Sequence, residues 1–175
     1  MKNIVGIGFD IPSNDEDYIR IDKNASLSDH DIAIFSPDME DSFYYFNSEG
    51  YEGKTLYDKS SSSRILEQTK HWNNEIKSFL QSGKTIFINL KQKRDFFIYS
   101  GDKTFSGTGR SRQATFRVQP HSNYNFIPFS GKIQNATGKI INVENSLMSG
   151  FYDEFKSYIN YEAYIEDAKS TVLFT

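Results

Sequence analysis

Short apolar runs separated by polar and glycine-rich sequence mark the strands in the first half of the chain. Residues 3–9 (NIVGIGF) and 32–36 (IAIFS) are nearly continuous apolar runs, the pattern of parallel strands that are buried on both faces. Residues 17–22 alternate between polar and apolar side chains and predict a short edge strand. Residues 37–59, rich in acids and aromatics, predict a long loop.

An amphipathic helix is the clearest element of the sequence. Its predicted buried stripe recurs at three- and four-residue spacing, at Ile65, Leu66, Thr69, Trp72, Ile76, Phe79 and Leu80. A serine of the tract 60–63 is the predicted N-cap, and Gly83 is the predicted left-handed stop. An apolar strand at 85–90 follows, so residues 62–90 predict the second half of a right-handed βαβ crossover with Trp72 in the core.

The second half of the sequence predicts mainly β structure. The strand-like runs DFFIYS (95–100) and ATFRVQP (114–120) flank a glycine- and arginine-rich stretch, which predicts a long-looped hairpin over 95–118. Further predicted elements are a loop or edge strand at 122–129, a strand at 138–143, a short helix at 149–159, and two strands around a turn at 161–175.

These elements together predict an α/β fold, with a mainly parallel flavodoxin-like sheet, flanking helices and a β-hairpin excursion in the second half. The chain of 175 residues fits a single domain. Its predicted parts are an α/β core at 1–90, a hairpin with a basic Gly/Arg loop at 91–137, and a closing strand, helix and β segment at 138–175. Strand-type sequence at Thr175 predicts that this is an N-terminal fragment of a longer chain.

Two stretches carry a resemblance to a known group of proteins. SLSDHDIAIFSPD and HWNNEIKSFLQSGKTIFINL resemble the class I glutamine amidotransferase-like group of flavodoxin-type folds, over residues 1–90. Glutaminases of that group use a cysteine nucleophile, and this sequence has no cysteine, so the resemblance implies the fold and not amidotransfer. The chain is also similar to N-terminal regions of bacterial proteins to which no activity is attached.

Composition excludes several chemistries. Without cysteine there are no disulfides, cysteine-containing zinc sites or cysteine nucleophiles, and the composition suits a reducing cytosol. No apolar run approaches the roughly 20 residues of a membrane span. We therefore expect a cytoplasmic protein with no membrane partner.

Charge is distributed unevenly along the chain. Residues 10–58 contain 13 acids and 3 bases, a net charge of −10, whereas residues 91–117 contain 7 bases and 2 acids, a net charge of +5. Such asymmetry can mark a basic contact face for an anionic partner. The alternative is that the charges decorate solvated loops and pair within the fold.

The stretch from Gly101 to Val118 is the candidate binding site. Glycines permit the positive φ angles that turn successive N–H groups toward one anion, hydroxyls add donors, and arginines add bidentate forks. The predicted ligand-binding residues are Ser106, Gly107, Thr108, Gly109, Arg110 and Arg112. The alternatives are a mobile hairpin tip that contacts nothing and a protein contact.

This stretch is not a nucleotide fingerprint. GTGRSR (107–112) departs by one residue from Gly-x-Gly-x-x-Gly, and it follows a predicted hairpin strand instead of opening a helix. We therefore predict an exposed anion-contact site in a hairpin, not a phosphate loop.

Acidic and amide side chains follow the predicted parallel strands. Asp10, Asp38, Glu40 and Asn89 come after strands whose carboxyl ends form one edge, where Mg²⁺ could bind. Asp and Asn also favour turns for purely local reasons. Under this alternative, Asp10 and Asp38 are the catalytic residues and Mg²⁺ the cofactor.

Three functions stay open at this point. The first is a non-catalytic recognition or sensor domain for a nucleotide-like ligand or nucleic acid, accessory to a C-terminal effector, as in many bacterial antiviral defence proteins. The second is a metal-assisted phosphoester hydrolase. The third is an oligomerisation or protein-interaction module that uses the aromatic segment FYYF (43–46). No nucleophile motif, histidine pair or phosphate motif occurs, which favours binding without a cofactor over catalysis.

Overall fold

The computed structural model describes residues 3–8, 17–39, 43, 45–128, 132–139 and 160–166. This part of the chain contains one long helix, α1, at Lys59–Gln81. Its strands are β1 (Ile4–Ile7), β2 (Asp17–Ile19), β3 (Ile32–Phe35), β4 (Ser48–Tyr51), β5 (Lys54–Tyr57), β6 (Thr85–Ile88), β7 (Asp95–Ser106), β8 (Gln113–Ser122), β9 (Lys132–Lys139) and β10 (Asn160–Glu166).

The apolar runs of the first half form a parallel sheet with the order β2-β1-β3-β6. Ile7 pairs with Phe35, and Phe35 pairs with Ile88, so three strands end at one edge. The run that alternates in polarity is an edge strand, β2, as predicted. The α/β fold with a parallel sheet is therefore confirmed. Among the described residues, no helix is long and apolar enough to cross a membrane.

Helix α1 begins earlier than its serine tract suggested. Asp58 is the N-cap, and its carboxylate accepts a 2.7 Å hydrogen bond from the backbone N–H of Ser61. The prediction of a serine cap is wrong because Ser61 and Ser62 lie inside the first turns and are buried. The predicted stop is correct, since Gly83 follows the helix with φ +77°.

The buried stripe of α1 connects the parallel sheet with the β structure of the second half. Ile65, Trp72, Ile76 and Phe79 are buried, as the spacing predicts, but the prediction is wrong for Leu80, the last residue of the stripe, which is 47% exposed. The Ser62 hydroxyl accepts a 3.0 Å hydrogen bond from the backbone N–H of Tyr99, which is on β7. The same helix therefore packs against strands of two sheets.

A second, mixed sheet has the order β4-β5-β7-β8. Its first two strands lie within residues 37–59, so the prediction of one long loop there is wrong. They are joined by a two-residue turn at Glu52 and Gly53, which have φ values of +48° and +76°, as in the tight turns that match the twist of a hairpin. β5 then runs parallel to β7, with Leu56 opposite Phe97.

The last described strands, β9 and β10, form an antiparallel pair. β9 was not predicted, and the strand expected at 138–143 overlaps it only at Gly138 and Lys139. β10 corresponds to the first of the two strands expected at 161–175. The helix expected at 149–159 and the final strand lie outside the described residues.

Candidate functional site

The longest exposed run in the described part of the chain is in the outer half of the β7–β8 hairpin, residues 101–117, which we call the ribbon. All residues from 101 to 115 are exposed, so both faces of these two strands are open to solvent. The prediction of a long loop over 101–118 is wrong, because β7 continues to Ser106 and β8 begins at Gln113. The predicted anion-binding residues therefore lie at the tip of a paired structure.

A bulge separates the ribbon from the rest of the mixed sheet. Tyr99 pairs with Val118, but the next pair is Lys103 with Phe116, so three residues of β7 face a single residue of β8. Gly101, in the middle of these three, has φ +87°. Bulges of this kind bend a strand and increase its local twist. The ribbon consequently begins at a defined bulge within two paired strands, and its strands stay paired beyond the bulge.

The tip is a tight turn that contains the predicted glycines and arginines. Gly107 has φ +82°, and a Cβ atom there would lie 2.4 Å from the carbonyl oxygen of Ser111. Gly109–Ser111 form one 3-10 turn, closed by a 3.3 Å hydrogen bond from the Arg112 N–H to the Gly109 carbonyl oxygen. A strand follows this turn, not a helix, so the tip lacks the architecture of a phosphate loop.

The six predicted binding residues are together at this tip and all are exposed. Within the described part of the chain, the Arg110 guanidinium has no hydrogen-bond or ion-pair partner. Arg112 lies beyond the 3-10 turn, and its guanidinium carbon is 4.0 Å from the centre of the Phe105 ring. The tip thus presents one arginine to solvent and one stacked on an aromatic ring.

The pairing of the strands gives the ribbon two different faces. Lys103 lies opposite Phe116 and Phe105 lies opposite Ala114, so these four side chains share one face, which we call the aromatic face. The other face carries hydroxyl and amide side chains, since Thr104 pairs with Thr115 and Ser106 pairs with Gln113. The two faces are distinguished only by the strand pairing, which the local sequence does not specify.

Cations lie against both rings of the aromatic face. The ammonium of Lys59, the first residue of α1, is 3.6 Å from the centre of the Phe116 ring, and that of Lys103 is 5.1 Å from it. Phe105 is 54% exposed despite its contact with Arg112. Sequence reasoning counted Lys103 only as a charge and missed both rings and Lys59. The spacing of Lys103 and Phe105, two residues apart, indicates that they share one face of a strand. The pairing of Lys103 with Phe116 could not be predicted in this way, because it depends on the bulge.

The residues proposed for a metal site are only partly described. Asp10 and Glu40 lie outside the described residues, and Asp38 follows β3 half-buried. The backbone N–H of Asn89 donates to the Phe35 carbonyl oxygen at 2.8 Å, so the ends of β3 and β6 are adjacent. Ser36 Oγ and Asn89 Oδ1 are both buried and have no hydrogen-bond partner among the described residues. No group of three His, Cys, Asp or Glu among the described residues could hold a metal.

Two of the three described rings in the aromatic segment at 43–46 are directed inward. Phe43 is 4% exposed, and its ring stacks on that of Phe126 at 5.7 Å. Phe46 packs edge-on against Phe43 at 4.8 Å. Tyr45 is 83% exposed, and residue 44 lies outside the described residues. The described rings therefore offer a protein partner a single exposed tyrosine, not an aromatic patch.

A second basic surface lies in an open groove of about 830 Å³. Its lining includes Lys77, Lys93 and Lys132, with Ile127 and Ile133 as apolar neighbours. Lys93 is already paired, because its ammonium is 3.0 Å from the carboxylate of Asp95. The groove is the main competitor of the ribbon as a place for an anion.

Comparison of the chain with protein-family models, curated proteins and solved structures found no match. The resemblance to the amidotransferase-like group stays a prediction.

Proposed function

We propose that this protein is a recognition domain that binds nucleic acid, or an anionic ligand of the nucleotide type, through the ribbon. The observation that carries the proposal is the concentration of cations on an exposed two-stranded structure. The ribbon contains Lys103, Arg110, Arg112 and Arg117 against a single acid, Asp102, a net charge of +3 in a chain whose total is −3.

The donors of the ribbon suit phosphate groups. Arginine presents a planar fork of N–H groups that matches two phosphate oxygens, and the hydroxyls of Ser106 and Thr108 are further donors beside it. Gly107 and Gly109 have positive φ values, which lets the backbone at the tip approach a ligand without Cβ atoms in the way.

Binding, and not catalysis, is the proposed activity of this surface. Its cations are one lysine and three arginines, whose N–H groups suit holding an anion, and residues 101–117 contain no histidine, the side chain used most often in general acid–base chemistry. A two-stranded ribbon can enter a groove or lie along a strand of nucleic acid, and its contacts with phosphates would be independent of sequence.

The salt dependence of binding tests this proposal. Each phosphate contact releases counterions, so the double variant Arg110→Ala/Arg112→Ala should lower the slope of log K against log salt by about two for duplex DNA. The matched control is Lys23→Ala/Lys70→Ala, which removes the same charge from two exposed positions outside the ribbon. Equal affinity of the ribbon variant and the parent at every salt concentration would refute the proposal.

A metal-assisted phosphoester hydrolase is the second candidate, favoured by the unpartnered oxygens of Ser36 and Asn89. Uncharged and carboxylate oxygens are the ligands that Mg²⁺ prefers, and Asp38 is two residues beyond Ser36. Together with Asp10, these groups would hold the cation and orient a phosphoester. Added Mg²⁺ should then raise the melting temperature of the parent but not of Asp38→Asn or Asn89→Ala. A parent that does not respond to Mg²⁺ would remove this candidate.

A further inference from the structure

We propose that the ligand of the ribbon is single-stranded nucleic acid whose bases stack on Phe105 and Phe116. This inference rests on the proposed function and names the class of nucleic acid. Four features of the ribbon support it: the exposure of one ring, the spacing of the two rings, the cations beside them and the contrast between the two faces.

The exposure of Phe105 is the first step. A phenylalanine that is 54% exposed at the outer end of a strand stabilises little of the protein's own core. One contact of its ring is with the Arg112 guanidinium, and more than half of the residue's surface stays accessible to a ligand. Base–aromatic stacking tolerates every base because each base has a π face.

The spacing of the two rings is the second step. Phe105 lies opposite Ala114, and Phe116 is two residues farther along β8, so the two phenylalanines are diagonal neighbours on one face. Diagonal neighbours in an antiparallel pair are about 7–8 Å apart. This exceeds twice the rise of about 3.4 Å per base in a duplex strand. The rings therefore suit bases of an extended strand that have separated from each other.

The cations beside the rings are the third step. Lys59 and Lys103 flank Phe116, and Arg112 lies on Phe105, so each stacking position has a positive charge within 6 Å. A nucleotide that places its base on the ring would bring its phosphate near such a charge. This combination of a basic track with stacking rings is how proteins hold single strands without reading their sequence.

The difference between the hydroxyl face and the aromatic face of the ribbon favours a single-stranded ligand over a duplex. The hydroxyl face, with Thr104 and Thr115, could follow a phosphate backbone of either form. Stacking on the aromatic face requires a base whose flat surface is accessible. In a duplex, the flat surface of each base is covered by the neighbouring bases. We therefore place the strand on the aromatic face.

Three oligonucleotides of equal length test this inference by fluorescence anisotropy: a single strand, the same strand with abasic sites throughout, and a duplex. The parent should bind the single strand most tightly. Phe105→Ala should weaken single-strand binding by about 5- to 150-fold, the equivalent of about 1–3 kcal/mol for one stacked base. The same variant should leave abasic binding unchanged, because phosphate contacts do not involve the ring.

Two controls separate stacking from a general disturbance of the ribbon. Phe105→Tyr retains a stacking ring and should keep the affinity of the parent. Tyr18→Ala removes a tyrosine that is 46% exposed on β2, in the other sheet, and should change nothing. Circular dichroism and melting temperature should match between Phe105→Ala and the parent, since the ring is largely outside the core.

The failures of the two proposals are distinguishable. Equal parent affinity for the abasic strand and the single strand would overturn stacking and leave anion binding by the ribbon intact. Absence of binding to all three oligonucleotides would overturn the stacking inference and the nucleic-acid form of the proposed function. A large loss on Lys77→Ala, with no effect of Phe105→Ala or Arg110→Ala/Arg112→Ala, would assign binding to the lysine groove and overturn both as well.

Discussion

The indole Nε1 of Trp72 donates a 2.7 Å hydrogen bond to the carbonyl oxygen of Ile21, 51 residues earlier in the chain. Trp72 is fully buried, and its ring meets that of Phe35 edge-on with centroids 6.0 Å apart. One side chain therefore joins the helix α1 both to the central strand β3 and to the segment that follows β2. The buried hydrogen bond also satisfies a carbonyl group that water cannot reach.

Truncation of this residue should destabilise the protein strongly. We expect Trp72→Ala to lower the free energy of unfolding by about 3–5 kcal/mol, the range for large buried aromatics. Trp72→Phe keeps an aromatic ring but removes the indole hydrogen bond to the Ile21 carbonyl oxygen, which the Gln68 side-chain amide also reaches at 3.0 Å, so its cost should be smaller, about 1 kcal/mol. Urea denaturation of the three proteins measures both effects. A loss below about 1 kcal/mol for Trp72→Ala would contradict the packing described here.

The N-cap of α1 can be tested by changes at Asp58. Its carboxylate accepts the backbone N–H of Ser61, and this hydrogen bond lowers the pKa of Asp58. We expect Asp58→Ala to destabilise the protein by about 1 kcal/mol, and Asp58→Ser to recover most of this loss because serine can accept the same hydrogen bond. Thermal unfolding of the pair at neutral pH is the measurement. Equal melting temperatures of the alanine and serine variants would argue against capping by residue 58.

His121 should make stability depend on pH. It is 8% exposed, its Nε2 is 3.1 Å from the Thr69 hydroxyl, and burial lowers its pKa to about 4. Between about pH 6.5 and 4 the unfolded chain binds a proton at this residue that the folded protein does not bind. The free energy of unfolding therefore falls as the pH falls, by about 2 kcal/mol between pH 7 and pH 5.

The matched variant for this effect is His121→Gln, which keeps a polar side chain but cannot titrate. Chemical denaturation at pH 7 and pH 5 should show a smaller decrease for the variant than for the parent, by about the same 2 kcal/mol. If the two proteins lose stability in parallel, His121 is not the group responsible.

The two glycines of the ribbon tip should respond differently to alanine. Both have positive φ, which costs a residue with a Cβ about 1 kcal/mol. At Gly107 the added Cβ would also collide with the Ser111 carbonyl oxygen, whereas at Gly109 it meets nothing within 4 Å. Gly107→Ala should thus open the tip, seen as faster amide hydrogen exchange at residues 106–113, and Gly109→Ala should change exchange only slightly. Similar exchange in both variants would show that the turn is not set by this collision.

The sequence predicts the parallel sheet and α1 because a strand buried on both faces leaves a continuous apolar run, and a helix buried along one stripe leaves apolar residues at three- and four-residue spacing. β4 has no such period, since Ser48–Tyr51 are all exposed, and its pairing is specified by the turn at Glu52 and Gly53 instead. The sequence does not identify Asp58 as the N-cap, because the serines that follow it are equally good N-cap residues.

The candidate site was predictable only in its charges. Local composition is sufficient to place Arg110 and Arg112 at a hairpin tip. Predicting that Phe116 lies opposite Lys103 requires knowledge of the strand register. That register shifts at a bulge, and the presence of Gly101 alone does not predict the bulge. The contact of Lys59 with Phe116 is tertiary, between residues far apart in the chain.

The position of β4 and β5 within the connection from β3 to β6 limits how this protein can be divided or recombined. After β3 the chain leaves the parallel sheet and forms β4 and β5 of the mixed sheet. It then returns through α1 to β6, the last strand of the parallel sheet, before β7 and β8 complete the mixed sheet. No cut between β1 and β8 yields a segment that contains one whole sheet and none of the other. Gene fusion or exchange between homologous chains would therefore have to carry residues 4–122 as one block, while the ribbon beyond its bulge could be shortened or replaced on its own.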